Sequence, residues 1–129
     1  MAKILVVDDS PTMRRMVMAS LKSLENVQFE EASNGLEAIE NLTIAPFDLM
    51  ILDLNMPDIH GLEVLKFVLN HPDYHTTPII ILTTKGDPES RNEALSFGAA
   101  YYLTKPFNPN SFASQVESLL QPEEMKSEV

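Results

Sequence analysis

The chain has 129 residues, with nine Lys and Arg against nineteen Asp and Glu, for a formal net charge of −10 at pH 7. That length fits one domain that can bury a core without a covalent staple, and the absence of cysteine excludes disulfides, thiolate metal sites and a cysteine nucleophile. A hydrophobic fraction of 44% is too high for a disordered acidic chain, and the charge disfavours non-specific binding to nucleic acid or an anionic membrane.

Taken in chain order, Ile4–Val7 reads as a buried strand ending at Asp8. Ser10-Pro11 is a cap followed by proline at the first helical position. Met13, Met16, Val17, Leu21 and Leu24 mark the apolar face of that first helix. Val27–Ala32 alternates weakly, as an outer strand does. Asn34 and Glu37 then have capping-box spacing, ahead of a helix whose apolar face is Leu36, Ile39 and Leu42. Leu49–Leu52 is a second buried strand, ending at Asp53. Leu62, Leu65, Val68 and Leu69 predict a third helix, and Ile79–Leu82 a buried strand ending at Thr83-Thr84. Asp87-Pro88 caps a fourth helix that Gly98 stops. Ala99–Leu103 is the last strand, just before Lys105-Pro106. Asn108-Pro109 caps a fifth helix, with Phe112, Val116, Leu119 and Leu120 inward and Pro122 at its end.

Short continuous apolar runs suit strands covered on both faces. Five of them alternating with five helices predict an α/β fold around a parallel sheet, wound right-handed. Residues 1–121 form the expected domain, and 122–129 an acidic, fraying tail. The longest aliphatic or Met runs, such as Ile79–Leu82, have four residues, against the ~20 a membrane helix requires. The N-terminus does not read as a signal peptide, so the Asn41-Leu42-Thr43 sequon is taken as chance and a cytoplasmic protein is expected. Charge is uneven: nine acidic residues and no Lys or Arg lie between Ser23 and Leu65, whereas the first helix carries Arg14, Arg15 and Lys22. That helix is a candidate dock for an acidic partner, or simply a solvated basic face.

In open parallel α/β sheets, ligands bind outside the carboxyl ends of the strands. Asp8, Asp9, Asp53, Thr83, Thr84 and Lys105 all stand at such ends. Three adjacent carboxylates call for a hard cation, and Mg²⁺ is bound by one or two carboxylates together with phosphate oxygens. Beside an ammonium and a hydroxyl, that chemistry is phosphoryl transfer, with a carboxylate able to act as nucleophile.

The Asp8-Asp9 pair after ILVV, Asp53 in DLNMP, Thr83 in IIILTT and Lys105 in LTKPF resemble the receiver domain of bacterial two-component response regulators. The steps from Asp9 to Asp53, to Thr83 and to Lys105 are 44, 30 and 22 residues, as in that family, and the resemblance covers about residues 2–121. It implies a flavodoxin-like sheet of order 2-1-3-4-5 with five flanking helices. Asp53 would accept a phosphoryl group from a phosphohistidine on a sensor histidine kinase or histidine phosphotransfer protein. Asp8, Asp9, Asp53 and the backbone carbonyl of Asn55 would hold Mg²⁺. Lys105 would pair with phosphoryl oxygens, its bond to Pro106 being cis. Thr83 would move toward the phosphoryl group and Tyr102 would rotate inward, remodelling the face of helix four, strand five and helix five, where receivers meet protein targets.

Thr84 departs from the Ala or Gly usual after the switch hydroxyl and would crowd the site. Asn55 and Lys85 stand at positions that tune hydrolysis of the acyl phosphate in this family. Without the resemblance, Tyr102 reads equally as a core or surface aromatic. His71 and His75 read as a loop without a third metal ligand, His60 has no evident partner, and Met13, Met16 and Met18 read as helix packing and surface.

The expected function is a phosphorylation-gated switch and not a turnover enzyme. A Mg²⁺-dependent phosphohydrolase would more often carry Asp-x-Asp on one loop, and an adaptor that does not use phosphorylation would not need the full acidic set. No basic residue lies between Ser111 and Leu120, where transcription-factor receivers that dimerise through helix five carry them, so a monomer or weak dimer is expected. The single-domain layout points to chemotaxis, with a phosphorelay intermediate or phosphate sink as alternatives.

Overall fold

The computed structural model describes residues 2–84 and 86–120. The tail 122–129, the helix end at Pro122 and Lys85 lie outside the described residues. Strands and helices alternate: β1 Ala2–Val7, α1 Pro11–Ser20, β2 Val27–Ala32, α2 Gly35–Ile44, β3 Leu49–Leu52, α3 Gly61–Asn70, β4 Ile79–Thr83, α4 Pro88–Phe97, β5 Tyr101–Thr104 and α5 Pro109–Leu120. The strands form one parallel sheet of order β2-β1-β3-β4-β5.

Strand side chains alternate between the two faces of a sheet, and that alternation splits the core in two. Leu5, Val7, Met50, Leu52, Ile79 and Ile81 pack with Ala38, Leu42, Val64, Leu65, Val68 and Ala94 of α2, α3 and α4. Ile4, Val6, Leu49, Ile51, Ile80 and Leu82 pack with Val17, Leu21, Phe112 and Val116 on the side of α1 and α5. Both faces of the central strands are covered, which is why their sequences are unbroken apolar runs. Fully buried Ile and Leu side chains each contribute about 1.5–3 kcal/mol, so these runs dominate the stability. Winding reverses at β1, whose neighbours are β2 on one side and β3 on the other. The crevice beyond β1 and β3 is therefore the expected binding edge.

The capping residues act as the sequence implies. Ser10 accepts from the Met13 amide, Asn34 from Glu37, Asp87 from Ser90, and Asn108 from Asn110 and Ser111. The return arm from Glu37 reaches the amide and hydroxyl of Ser33, one residue before the Asn34 cap. Gly98 ends α4 with φ 116°, a left-handed conformation that only glycine adopts cheaply.

Several expectations need correction. β1 starts at Ala2, because Ala2 and Lys3 pair with Val27 and Gln28 of the edge strand. β5 starts at Tyr101, since the Ala99 amide is used to close α4 on the Ala94 carbonyl. Met16 is exposed, because α1 buries Val17 and its capping residue Leu21, four residues on, is buried beside it. Leu36 is 56% exposed, and the inward stripe of α2 is Gly35, Ala38 and Leu42. Small residues at two of those three positions hid the stripe from a search for large apolar side chains.

Candidate functional site

The ladder continues one residue past the strand ends. The Asp8 amide donates to the Ala32 carbonyl, Asp53 to Val7 and Lys105 to Thr83, at 3.0, 3.0 and 2.8 Å. These bonds fix three functional side chains at one edge of the sheet.

Asp8 and Asp53 are buried, at 4% and 5% exposure, and Asp9 is exposed. One carboxylate oxygen from each lies within 4.8 Å of the others. Lys105 Nζ donates to Asp8 Oδ2 at 2.7 Å and to Asp53 Oδ2 at 3.3 Å. The second oxygen of Asp8 accepts from the Ser10 amide at 2.9 Å, and that of Asp53 from the Asn55 amide at 3.2 Å. Carboxylates outnumber the ammonium three to one. An all-oxygen donor set with this excess of formal negative charge fits a hard divalent cation. The donor set and the burial of two of its members are thus consistent with a metal-binding centre.

Thr83 is fully buried at the end of β4. Thr84 follows it and is exposed, its hydroxyl accepting from the Asn55 side-chain amide at 3.3 Å. Tyr102 is 7% exposed and belongs to the core layer on the α2–α4 side. Burial, with the Asp87 charge second, holds its phenol above the usual value. The side chain is thus already inward in this structure. The Lys105–Pro106 peptide is cis.

Sequence reading missed three contributors. Arg14 donates to the Asp8 carbonyl at 2.6 Å and to Glu31 Oε1 at 2.8 Å, tying the loop after β1 to edge strand β2. One of the three basic charges of the α1 region is therefore engaged internally, while Arg15 and Lys22 remain exposed. Asp58 accepts from the Gly35 and Leu36 amides, both at 3.0 Å. Gly61 packs so tightly that an added Cβ would meet the Asp53 carbonyl oxygen and the Leu54 Cα at 2.5 Å. The Met-Pro-Asp-x-x-Gly run around Asp58 and Gly61 carried a turn signal, but not the distant partner on α2.

The histidines are local. His60 accepts from the Leu62 amide at the start of α3, and His71 from Asp73. His75 bonds the carbonyls of its own turn, and His71 stacks on Tyr74 at 4.1 Å. Among the described residues, the cluster of Asp8, Asp9 and Asp53 is the one set of acidic or histidine side chains spaced for a metal.

A sequence profile of the response regulator receiver domain matches residues 4–117. The chain belongs to that family. It is 40% identical over 119 residues to a chemotaxis protein CheY homolog of Campylobacter jejuni, covering 92% of each chain. It is also 40% identical over 119 residues to the transcriptional regulatory protein ResD of Bacillus subtilis, covering 92% of this chain but 48% of ResD, about half that relative's length. The solved chemotaxis response regulator CheY4 of Vibrio cholerae superposes with a TM-score of 0.82 at 40% identity, over 93% of this chain and 99% of that one. As a receiver domain the chain is a phosphorylation-gated switch that signals through protein contacts, not a turnover enzyme. No described helix is long and apolar enough to cross a membrane.

Proposed function

We propose that Asp53 is the phosphoacceptor of this receiver. The observation that carries the reading is its carboxylate, 5% exposed at the end of β3, with Lys105 Nζ at 3.3 Å and the Asp8 and Asp9 oxygens within 4.8 Å. A carboxylate oxygen of Asp53 attacks the phosphorus of a phosphohistidine on a sensor histidine kinase or histidine phosphotransfer protein. The new O–P bond forms as the N–P bond breaks, and the departing imidazole nitrogen keeps that electron pair and takes a proton from solvent. Asp8, Asp9, Asp53 and the Asn55 carbonyl would hold Mg²⁺, which when bound would supply charge neutralisation to the phosphoryl oxygens. Lys105, already oriented by two carboxylates, exchanges its bond to Asp53 for one to the phosphoryl group.

Thr83 and Tyr102 form the switch. The buried Thr83 hydroxyl turns to the phosphoryl oxygens, and the space it leaves stabilises the inward position that Tyr102 already holds in this structure. Output passes to a protein target on the face of α4, β5 and α5, with the domain monomeric and cytoplasmic. Asn55, Thr84 and Lys85 set the lifetime of the acyl phosphate. Incubation with Mg²⁺ and acetyl phosphate should add one phosphoryl group to the intact mass, absent in Asp53→Asn. Modification that persists in Asp53→Asn, or none with any donor, overturns the assignment.

For the pathway we propose chemotaxis, supported by the match over 92% of the Campylobacter chemotaxis homolog. The equal identity to ResD is what a phosphorelay or transcriptional role would rest on. Deletion of the gene should abolish directed migration in soft agar, and restoring the Asp53→Asn form should not rescue it. Normal migration in the deletion strain would overturn the pathway.

A further inference from the structure

The loop from β3 to α3 carries the acceptor chemistry, yet Asn55, Pro57, Asp58 and His60 within it are all exposed. Leu54 is fully buried and Met56 and Ile59 pack against the core, so the exposed stretch between them is left to hydrogen bonds. At its far end the Gly61 amide closes on the Leu54 carbonyl at 3.0 Å. In its middle, Asp58 reaches across 22 to 23 residues of sequence to the first turn of α2.

There both carboxylate oxygens are used, one on the Gly35 amide and one on the Leu36 amide, each at 3.0 Å. These are two of the four amides that an α-helix leaves without an internal partner. Asn34 takes the Glu37 amide, so the Asp58 clamp completes the cap rather than duplicating it. The contact is also close-packed: a Cβ on Gly35 would lie 2.8 Å from Ile59 Cβ and 3.3 Å from the Ile59 carbonyl. A charge-assisted bidentate bond beside a glycine-sized gap fixes both the direction and the distance of the loop.

We infer that Asp58 is a positioning residue for the phosphorylation site, holding the acceptor loop on α2 so that Asn55 and the Asp53 carboxylate stand ready for the cation. The inference rests on the proposed roles of Asp53 and Asn55. The two 3.0 Å hydrogen bonds that Asp58 accepts come from α2, not from the acceptor or the metal ligands. Its effect passes through two loop residues, Met56 and Pro57, to Asn55, whose amide donates to Asp53. The helix dipole strengthens the clamp, since a carboxylate is favoured at a helix N-terminus.

The test compares Mg²⁺ dissociation constants by isothermal titration calorimetry, and phosphorylation rates with acetyl phosphate, in the full chain and three variants. Asp58→Ala should weaken Mg²⁺ about 10-fold, the lower end of what losing an outer-shell partner costs a metal site, and slow phosphorylation in step. Asp58→Asn, which keeps one oxygen acceptor, should fall between wild type and Asp58→Ala and keeps the test valid if the alanine variant unfolds. Asn34→Ala removes a cap bond from the same helix turn without touching the loop, so it should lower the melting temperature yet leave Mg²⁺ affinity within about twofold. Unchanged affinity in both Asp58 variants overturns the inference while leaving the site reading intact. Equal weakening by Asn34→Ala overturns it too, because helix stability alone would then explain the loss. Failure of the wild-type chain to bind Mg²⁺ overturns the site reading and, with it, the inference.

Discussion

The side-chain amide of Asn55 donates to the hydroxyl of Thr84 at 3.3 Å, joining the loop after β3 to the loop after β4. Both residues are exposed, and the backbone amide of the same Asn55 donates to Asp53. Thr84 stands where most receivers carry Ala or Gly, so this bridge is the added bulk beside the route to Asp53 that a substitution can test. An exposed neutral hydrogen bond contributes about 0.5–1.5 kcal/mol, and 1.4 kcal/mol is about a factor of ten. Thr84→Ala should therefore speed phosphorylation by acetyl phosphate about two- to tenfold, with stability lowered by no more than about 1.5 kcal/mol. A stopped time course read by intact mass measures the rate. No acceleration would show that the bridge does not limit access.

The three carboxylates lie within 4.8 Å of one another, with Lys105 the one cation bonded to the cluster among the described residues. Like charges this close oppose each other in the folded state. Asp9→Asn removes one of them at an exposed position, so it should raise the melting temperature in the absence of divalent cations by about 2–5 °C. The sign reverses with the ion. Mg²⁺ at about 100 times its dissociation constant stabilises a folded protein by about 2.7 kcal/mol, and Asp9→Asn should lose most of that gain. Thermal melts with and without Mg²⁺ test both halves. A variant less stable than wild type without the ion would contradict the repulsion.

Much of this site was legible because its residues sit at strand ends, where apolar runs stop at polar ones. Asp8, Asp53 and Thr83 each follow such a run, so their edge position could be read from the sequence, whereas the sheet order came from the family resemblance. Long-range backbone partners were not legible. Arg14 looked like one charge among three on a basic helix, and only the fold puts it on the Asp8 carbonyl. Asp58 stood as one of nine acids between Ser23 and Leu65, because nothing local announces that its acceptors are filled from α2. Helix faces failed where the inward residue is small: Gly35 and Ala38 bury, while the larger Leu36 faces outward.

Acid should act on the α2 cap before it reaches the core. Hydrogen bonds from Gly35, and then Leu36, hold the Asp58 carboxyl below its ordinary value of 3.8. Bonds from the Ser33 amide and hydroxyl hold Glu37 below 4.5. A carboxylate whose folded pKa is depressed binds fewer protons folded than unfolded in that range, so its stabilising contribution is present above the ordinary value and is lost as pH falls through the folded one. Asp58→Asn should be less stable than wild type at pH 7, and the gap should narrow progressively below about pH 4. Urea midpoints taken across this range follow the gap. A constant difference down to pH 3 would mean that packing, not the charge, carries the clamp.

Arg14 offers a sharper division between a contact that matters and one that does not. Its side chain is 13% exposed, whereas its ion-pair partner Glu31 is 45% exposed. A half-exposed ion pair is worth about 0–1 kcal/mol. The bond from the same guanidinium to the Asp8 carbonyl, at 2.6 Å, is charge-assisted and partly buried, a class worth about 1.5–3 kcal/mol. Arg14→Ala should therefore cost about 2 kcal/mol, and Glu31→Gln less than about 0.5 kcal/mol. Arg14→Lys should not restore the loss, because an ammonium lacks the planar fork that reaches two acceptors at once. The carbonyl belongs to Asp8, the residue just after β1 whose own side chain lies in the metal cluster, so Arg14→Ala should also weaken Mg²⁺ while Glu31→Gln leaves it unchanged. Chemical denaturation and Mg²⁺ titration of the three variants measure these differences. Equal losses in Arg14→Ala and Glu31→Gln would show that the ion pair, not the carbonyl contact, is what anchors the loop after β1.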